Sequence, residues 1–235
     1  VQLFPQTATG SFLTNWTSLY GITKAAATKA EGSVVFTGTA LTTIPATTNI
    51  QKTDGTLFET LSDTPITTES IVVSSITRLG SVATVTTLNS HNLATGVSAT
   101  ISGADQADYN VTATISVTGT NTFTYTVANN PATPATGTIL TSVTFAHVAV
   151  RATEFGSSSN TGSASQLSLV AAIPNVDNIA TVDFNGITGG LNEESDESVR
   201  ARLLDRLANF STAFSNSGIE TFIKQNYPTI TRVWV

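Results

Sequence analysis

Cysteine is absent from this chain of 235 residues. That excludes a disulfide framework, thiol chemistry and any thiolate metal site, and it is compatible with every compartment. Charge is scarce: Asp, Glu, Lys and Arg make up 11%, less than half the ~25% of an ordinary soluble domain. Cations are scarcest of all, with no Lys or Arg between Arg78 and Arg151. A stretch without cations cannot neutralise phosphates, and the net charge is −6, so nucleic acid is not expected as a partner. No run of 18 or more apolar residues occurs, so no membrane-spanning helix is predicted. The start, Val1-Gln2-Leu3-Phe4-Pro5, has no basic region leading into an apolar stretch, and no signal peptide is read. It has no initiating Met either, so an N-terminal part is expected to precede it.

What the chain has is threonine, 44 in all, 36 of them in the first 150 residues. A β-branched side chain that also hydrogen-bonds suits a half-exposed strand and penalises a helix. With 40% hydrophobic residues the chain has enough apolar material for a core. The first two-thirds are therefore expected to be all-β.

The first element predicted is a short helix over Ser11–Tyr20, with Phe12, Trp16 and Leu19 on one face and Gly21 and Ile22 closing a left-handed C-terminal cap. From Gly32 the period becomes two. Strands are predicted around Val34–Thr37, Ile44 to Ile50, Leu57–Leu61 and Ile71–Ile76, with Asp54-Gly55 and Asp63-Thr64-Pro65 as turns. A second set of short alternating strands runs from about Leu79 to Leu140, where Asp105 and Asp108 are the only charges. This change of composition marks an inserted β-module, with Pro131 and Pro134 at its exit and the outer domain resuming at Thr141–Glu154. A strand over Ile179–Phe184 precedes Gly186, Gly189 and Gly190.

At Asn192 the character changes again. Glu193, Glu194, Asp196, Glu197, Arg200, Arg202, Asp205 and Arg206 place 8 charges in 14 residues. Val199, Leu203, Leu204, Leu207 and Phe210 form a helical stripe, acids lead and arginines trail, and Ser195 is the expected N-cap. Ser217-Gly218-Ile219-Glu220 is a capping box for a second helix that Pro228 ends. Ile230 to Val235 alternates like a strand, and the natural protein is expected to continue beyond it.

Motifs that carry chemistry are scarce. His91 and His147 match no HExxH, HxH or EF-hand spacing, so surface or core histidines are expected rather than ligands. There is no GxSxG, GxGxxG or GxxxxGK[ST], and Ser157–Ser159 has the composition of a loop. Asp105 and Asp108 read as turn residues rather than the paired carboxylates of glycoside hydrolysis. The acid cluster at Glu193–Glu197 reads either as helix-start stabilisation or, with Arg200, Arg202 and Arg206, as a charged assembly surface. No catalytic, cofactor-binding or metal residues are assigned, and the chain is not expected to be an enzyme.

The stretch Ile187-Thr188-Gly189-Gly190-Leu191-Asn192-Glu193-Glu194-Ser195-Asp196-Glu197-Ser198-Val199-Arg200-Ala201-Arg202-Leu203-Leu204 resembles the signature of the baseplate J family, the wedge proteins of contractile phage tails and related injection machines. Gly32–Gly38, Ile44–Thr48 and Phe58-Glu59-Thr60 are similar to the family's opening β-domain, and Val148–Gly156 with Asn160 to its return strand. The insertion, with Thr84-Val85-Thr86, His91–Gly96, Ile101–Asp105, Tyr109-Asn110 and Phe123-Thr124-Tyr125, looks like a small β-barrel module of phage tail proteins.

The resemblance implies a structural protein of the virion tail baseplate, assembled in the bacterial cytoplasm. Copies of it would pair and join a six-fold ring around the central hub, contacting other wedge proteins and the sheath initiator, without cofactor, nucleic acid or membrane. Glu193, Glu194, Asp196, Glu197, Arg200, Arg202 and Arg206 are then the candidate assembly residues. The expected fold is α+β and mainly β: an N-terminal helical segment (1–31), a discontinuous β-sandwich-like core (32–78 with 141–190), an inserted small β-barrel (79–140) and a helical segment (191–235). The alternative is a β-rich adhesin or glycan-binding tail module, whose support is Tyr109, Phe123 and Tyr125 as exposed stacking rings.

Overall fold

A computed structural model describes residues 4–210 together with Glu220, Ile223 and Arg232. The chain divides into two compact units, Thr28–Leu191 and the two ends, Val1–Ala27 with Asn192–Val235.

The larger unit is all β, as the threonine content and period of two predict. Its strands are β1 (Lys29–Phe36), β2 (Thr43–Ile44), β3 (Asn49–Gln51), β4 (Leu57–Thr60), β5 (Thr64–Pro65), β6 (Thr67–Leu79), β7 (Val82–Thr87), β8 (Ser98–Ala104), β9 (Thr112–Thr114), β10 (Ser116–Gly119), β11 (Thr122–Thr126), β12 (Gly137–Phe155), β13 (Gln166–Leu169) and β14 (Ile179–Thr188). The first core is a barrel rather than the expected sandwich. Strands follow the order β1-β14-β13-β3-β4-β12, and β12 pairs back onto β1, closing a ring of six. Alternation along each strand is the same in a sandwich and a barrel. Closure depends on β12, which has β1 along Ala146–Phe155 and β4 along Val150–Ala152. Inside lie Val34, Phe36, Ile50, Phe58, Val148, Val150, Leu167 and Val182.

The second core belongs to the insertion. β12 pairs β6 and β8, and β6 continues through β7 and β11 to β10. Ile115 alone separates β9, on β8, from β10, on β11, and it exchanges hydrogen bonds with the 96–97 backbone: Ile115 N–H donates to Val97 O and Gly96 N–H to Ile115 O. Residues 112–119 thus act as one bent strand that rounds off a second small barrel. Tyr109, Phe123, Tyr125, Ile76, Val85 and Ile101 fill it. The module is wider than the 79–140 read from composition. Its stem is the pairing of Thr67–Val72 with Leu140–Phe145, where the sequence still looks like the outer domain.

One strand serves both cores by changing phase. Ile139, Thr141, Val143 and Phe145 are buried in the first half of β12, and Ala146, Val148, Val150 and Ala152 in the second. Successive side chains point to opposite faces, so the two adjacent buried residues Phe145 and Ala146 hand the strand from one core to the other.

The smaller unit contains α1 (Gly10–Leu19) and α2 (Asp196–Phe210). α1 ends as predicted. Gly21 has φ +66°, Gly21 N–H donates to Ser18 O at 3.2 Å and Ile22 N–H to Thr17 O at 2.9 Å, the two bonds of a left-handed C-terminal cap. Its buried face is not the predicted one. Leu13 and Thr17 are buried and Trp16 half-buried, whereas Phe12 and Leu19 are 53% and 76% exposed. Several stripes of a ten-residue helix carry apolar residues, and the covering partner selects among them: Leu13, Trp16 and Tyr20 meet Val199, Leu203 and Leu207 of α2. The helix predicted over 217–226 and the strand over 230–235 lie outside the described residues.

Thr141 generates a prediction. It is 0% exposed and its Oγ1 has no hydrogen-bond partner among the described residues. An unpaired buried hydroxyl costs about 1–3 kcal/mol, and valine has the same shape. Thr141→Val should therefore raise stability by about 1 kcal/mol, read as a higher denaturant midpoint with unchanged slope. A lower midpoint would mean that the hydroxyl is satisfied in solution.

Candidate functional site

The acid-rich signature begins on a tight turn. An added Cβ at Gly190 would lie 2.4 Å from Gly156 O, so only glycine fits this close approach. Asn160 holds the same residue with both ends of its carboxamide, Nδ2 donating to Gly190 O at 3.0 Å and Oδ1 accepting from Gly190 N–H at 2.9 Å.

Beyond the turn, within the smaller unit, three carboxylates of the signature, Glu193, Glu194 and Asp196, bind groups of the N-terminal segment. Ser195 caps α2 as expected, accepting the Ser198 N–H on its Oγ at 3.2 Å. Glu194 lies just before the cap, its side chain 14% exposed. One oxygen accepts the Ser198 hydroxyl at 2.7 Å and Arg202 Nε at 3.0 Å, and the other accepts Ala25 N–H at 3.1 Å and Arg202 Nη2. Arg202 also donates to Thr23 O at 2.8 Å. The Glu194 carboxyl is held down at about 2 by the Ser198 hydroxyl, the Ala25 N–H and the bidentate guanidinium, in that order.

Asp196 accepts the N–H of Gly10, the first residue of α1, at 2.9 Å and Lys24 Nζ at 3.2 Å, and these bonds lower its pKa. Lys24 also pairs with Glu193 at 3.0 Å, and the bonds to Glu193 and Asp196 raise the pKa of its ammonium group. Arg200 Nη2 donates to Ala8 O at 2.7 Å, while its buried Nε has no partner among the described residues.

Four of the seven candidate assembly residues, Glu194, Asp196, Arg200 and Arg202, are therefore engaged inside their own unit, where they clasp residues 8–25 to residues 194–202. Glu193 reaches the same clasp through Lys24. Glu197 and Arg206 stand exposed on α2. The clasp's other half, Thr23, Lys24 and Ala25, was missed from the sequence. Its one signal was a cation in a cation-poor N-terminal segment.

The remaining candidates are accounted for structurally. His91 is buried, its Nδ1 accepting Leu93 N–H at 3.0 Å and its ring edge-on to Phe123 at 5.6 Å; burial lowers its pKa. His147 Nε2 lies 3.0 Å from Asp183 Oδ2. Asp183 sits where β14 departs from the register of β1, between Gly32↔Ile187 and Val34↔Val182. Burial pushes its carboxyl up, but the His147 ring and the Asn185 N–H outweigh this and hold it below the usual value. Asp108 accepts Asn129 Nδ2 at 2.8 Å, and Ser159 donates to Gly156 O at 2.7 Å. Among the described residues no three His, Cys, Asp or Glu side chains gather as a metal site.

The aromatic platform is overturned. Tyr109 and Phe123 are 0% and Tyr125 3% exposed. The Tyr125 hydroxyl donates to Tyr109 O and the Tyr109 hydroxyl to Ala132 O, both at 3.1 Å, and burial pushes the Tyr125 phenol up. Alternating aromatics on a strand in a small barrel fill it, because one face of every strand must.

A groove of about 700 Å³ opens in the larger unit, lined by Thr37–Thr39, Gly96–Ser98, Thr100, Ser142, Thr144 and Asn175–Asp177. It exists because the ladder on one flank of β12 is interrupted. β8 reaches only to Ser142 and β1 only to Ala146, and past Phe36 the chain turns to bridge Gly38 with Val176.

One chain of the anti-feeding prophage (AFP) baseplate, a six-fold symmetrised cryo-EM structure, is similar to this chain with a TM-score of 0.42 and 13% sequence identity. The match covers 95% of this chain and 48% of that one, so this chain spans about half its length. No family model and no curated protein matches the sequence.

The clasp makes the smaller unit acid-sensitive. A carboxylate with a lowered folded pKa contributes stability above its ordinary value and loses it as the pH falls through the folded one. For Glu194 this window runs from 4.5 down to about 2. The protection factor of the Ala25 amide, its exchange rate relative to an unstructured amide at the same pH, should therefore fall across that window. Glu194→Gln should show fast exchange already at neutral pH and a flatter acid response. An Ala25 amide equally protected in both proteins would contradict the clasp.

Proposed function

We propose that this chain is a structural component of a contractile tail baseplate, a wedge protein of the baseplate J type, and not an enzyme. The observation that carries this reading is the fate of its signature. Glu194, Asp196 and Arg202 spend their hydrogen bonds on joining residues 10–25 to the start of α2. In the small pocket beside this clasp, lined by Leu13, Ile22, Lys24, Asp196 and Val199, the one acid and the one base are already paired with each other. A protein whose most charged segment fastens residues 8–25 to the start of α2 is suited to carry mechanical load between neighbours. The low-charge β-barrels supply broad surfaces that are cheap to desolvate. On this reading copies pair within a six-fold ring around the hub, meet other wedge proteins and the sheath initiator, and pass on the trigger for sheath contraction in the virion tail after assembly in the bacterial cytoplasm. The adhesin reading loses its support with the burial of Tyr109, Phe123 and Tyr125.

Quantitative mass spectrometry of purified tails, scaled to the sheath, should return a copy number that is a multiple of six. Absence from tails, or a three-fold count shared with fibre proteins, would overturn the reading.

The contact is tested separately. Arg200 and Arg202 hold the fold itself, so their removal would confound folding with assembly. Glu197 and Arg206 are exposed on the same helix. Glu197→Lys combined with Arg206→Glu should reduce the yield of intact tails while leaving the thermal midpoint of the isolated protein unchanged, because misplaced charges in an interface penalise association without touching the core. Wild-type yield would remove this face of α2 from the interface.

A further inference from the structure

The groove beside β12 is built from groups with unused hydrogen-bonding capacity. The side chains of Thr39, Ser98, Ser142 and Asn175 make no hydrogen bond within the described residues and line one groove. Asp177 uses one oxygen to accept the Thr37 hydroxyl and leaves the other open. One wall is part of a hydroxyl row crossing four paired strands, Ser70, Ser142, Thr100 and Thr112 on β6, β12, β8 and β9. Thr100 and Thr112 bond to each other at 2.8 Å, and Thr144 to Thr68 at 2.7 Å, which fixes the wall's geometry.

The chemistry of the lining selects the ligand. Among the described residues no cation lines the groove, and the one charge there is a carboxylate, so phosphate and other anions are repelled. A single carboxylate among hydroxyls is a poor ligand set for a divalent ion. Val97 and Val176 are the only apolar side chains of any size, so a hydrophobic ligand would find little to bury against. What remains is a neutral molecule dense in hydroxyls. We propose that the groove binds a neutral carbohydrate, its vicinal hydroxyls shared among Asn175, Asp177, Ser98, Ser142 and Thr39. This surface lies apart from the buried rings of the inserted barrel, and binding here uses hydrogen bonds in place of stacking.

The test is titration of the full chain, isotope-labelled, with maltotriose and separately with triacetylchitotriose, followed by amide NMR shifts. At least one sugar should shift the amides of Thr39, Ser98, Ser142 and Asp177 in a saturable manner. Asn175 has φ +64°, so Asn175→Gly removes the carboxamide without straining the backbone. Combined with Ser98→Ala it should weaken binding about tenfold, and the variant's own spectrum reports whether it is folded. No saturable shifts with either sugar, shifts scattered away from the groove, or shifts unchanged in the folded variant would each overturn the proposal. So would equal shifts with methylammonium, which would assign the groove to a cationic group at Asp177.

Discussion

Everything in the larger unit depends on β12 satisfying two cores at once. A strand offers one face to each side of a sheet, and a nineteen-residue strand that kept one phase would bury that face in a single layer. Here the buried set moves from odd to even positions at Phe145 and Ala146, so the first half closes one barrel and the second half the other. The groove follows from the same arrangement. Where the strand changes partners on one flank, from β8 to β1, neither partner extends far enough to cover it.

The smaller unit obeys a different constraint. Among the described residues its apolar cluster buries Ala8, Leu13, Val199 and Leu203, which bring together two helices whose sequences lie far apart in the chain. Glu194 and Asp196 at the start of α2 add to this contact, each accepting a backbone hydrogen bond from the N-terminal segment, and Arg202 donates one to a carbonyl of that segment. Charge-assisted bonds between the two ends give the segment a defined path that its short helix alone would not specify.

Much of this was legible in the residues. The period of two and the threonine content place the strands, Ser195 and Gly21 place two helix ends, and the stripe through Val199, Leu203 and Leu207 identifies the buried face of α2. These are local properties, set within a few residues of chain by backbone sterics and the orphan hydrogen bonds of a helix end. Even the phase change in β12 is written there, as Val143-x-Phe145-Ala146-x-Val148-x-Val150, within the stretch where the sequence places the return of the outer domain.

Only tertiary structure decided the rest, because the deciding partner lies far away in sequence. Periodicity says that α1 has apolar stripes, and α2 chooses Leu13 over Phe12 by lying against it. Alternation says that Tyr125 and Phe123 face opposite ways from their neighbours, and barrel curvature decides that their side is the inside. Composition marks a foreign segment near Leu79, but the ladder between Thr67–Val72 and Leu140–Phe145 carries it into strands that look native to the outer domain. A run of acids followed by arginines reads as a surface because charges are usually solvated. It became a clasp once backbone groups of residues 10, 23 and 25 came within hydrogen-bonding distance. The sequence by itself determined which groups had to be paired or buried. The tertiary structure decided with what, since pairing and burial are properties of neighbours in space and not of neighbours along the chain.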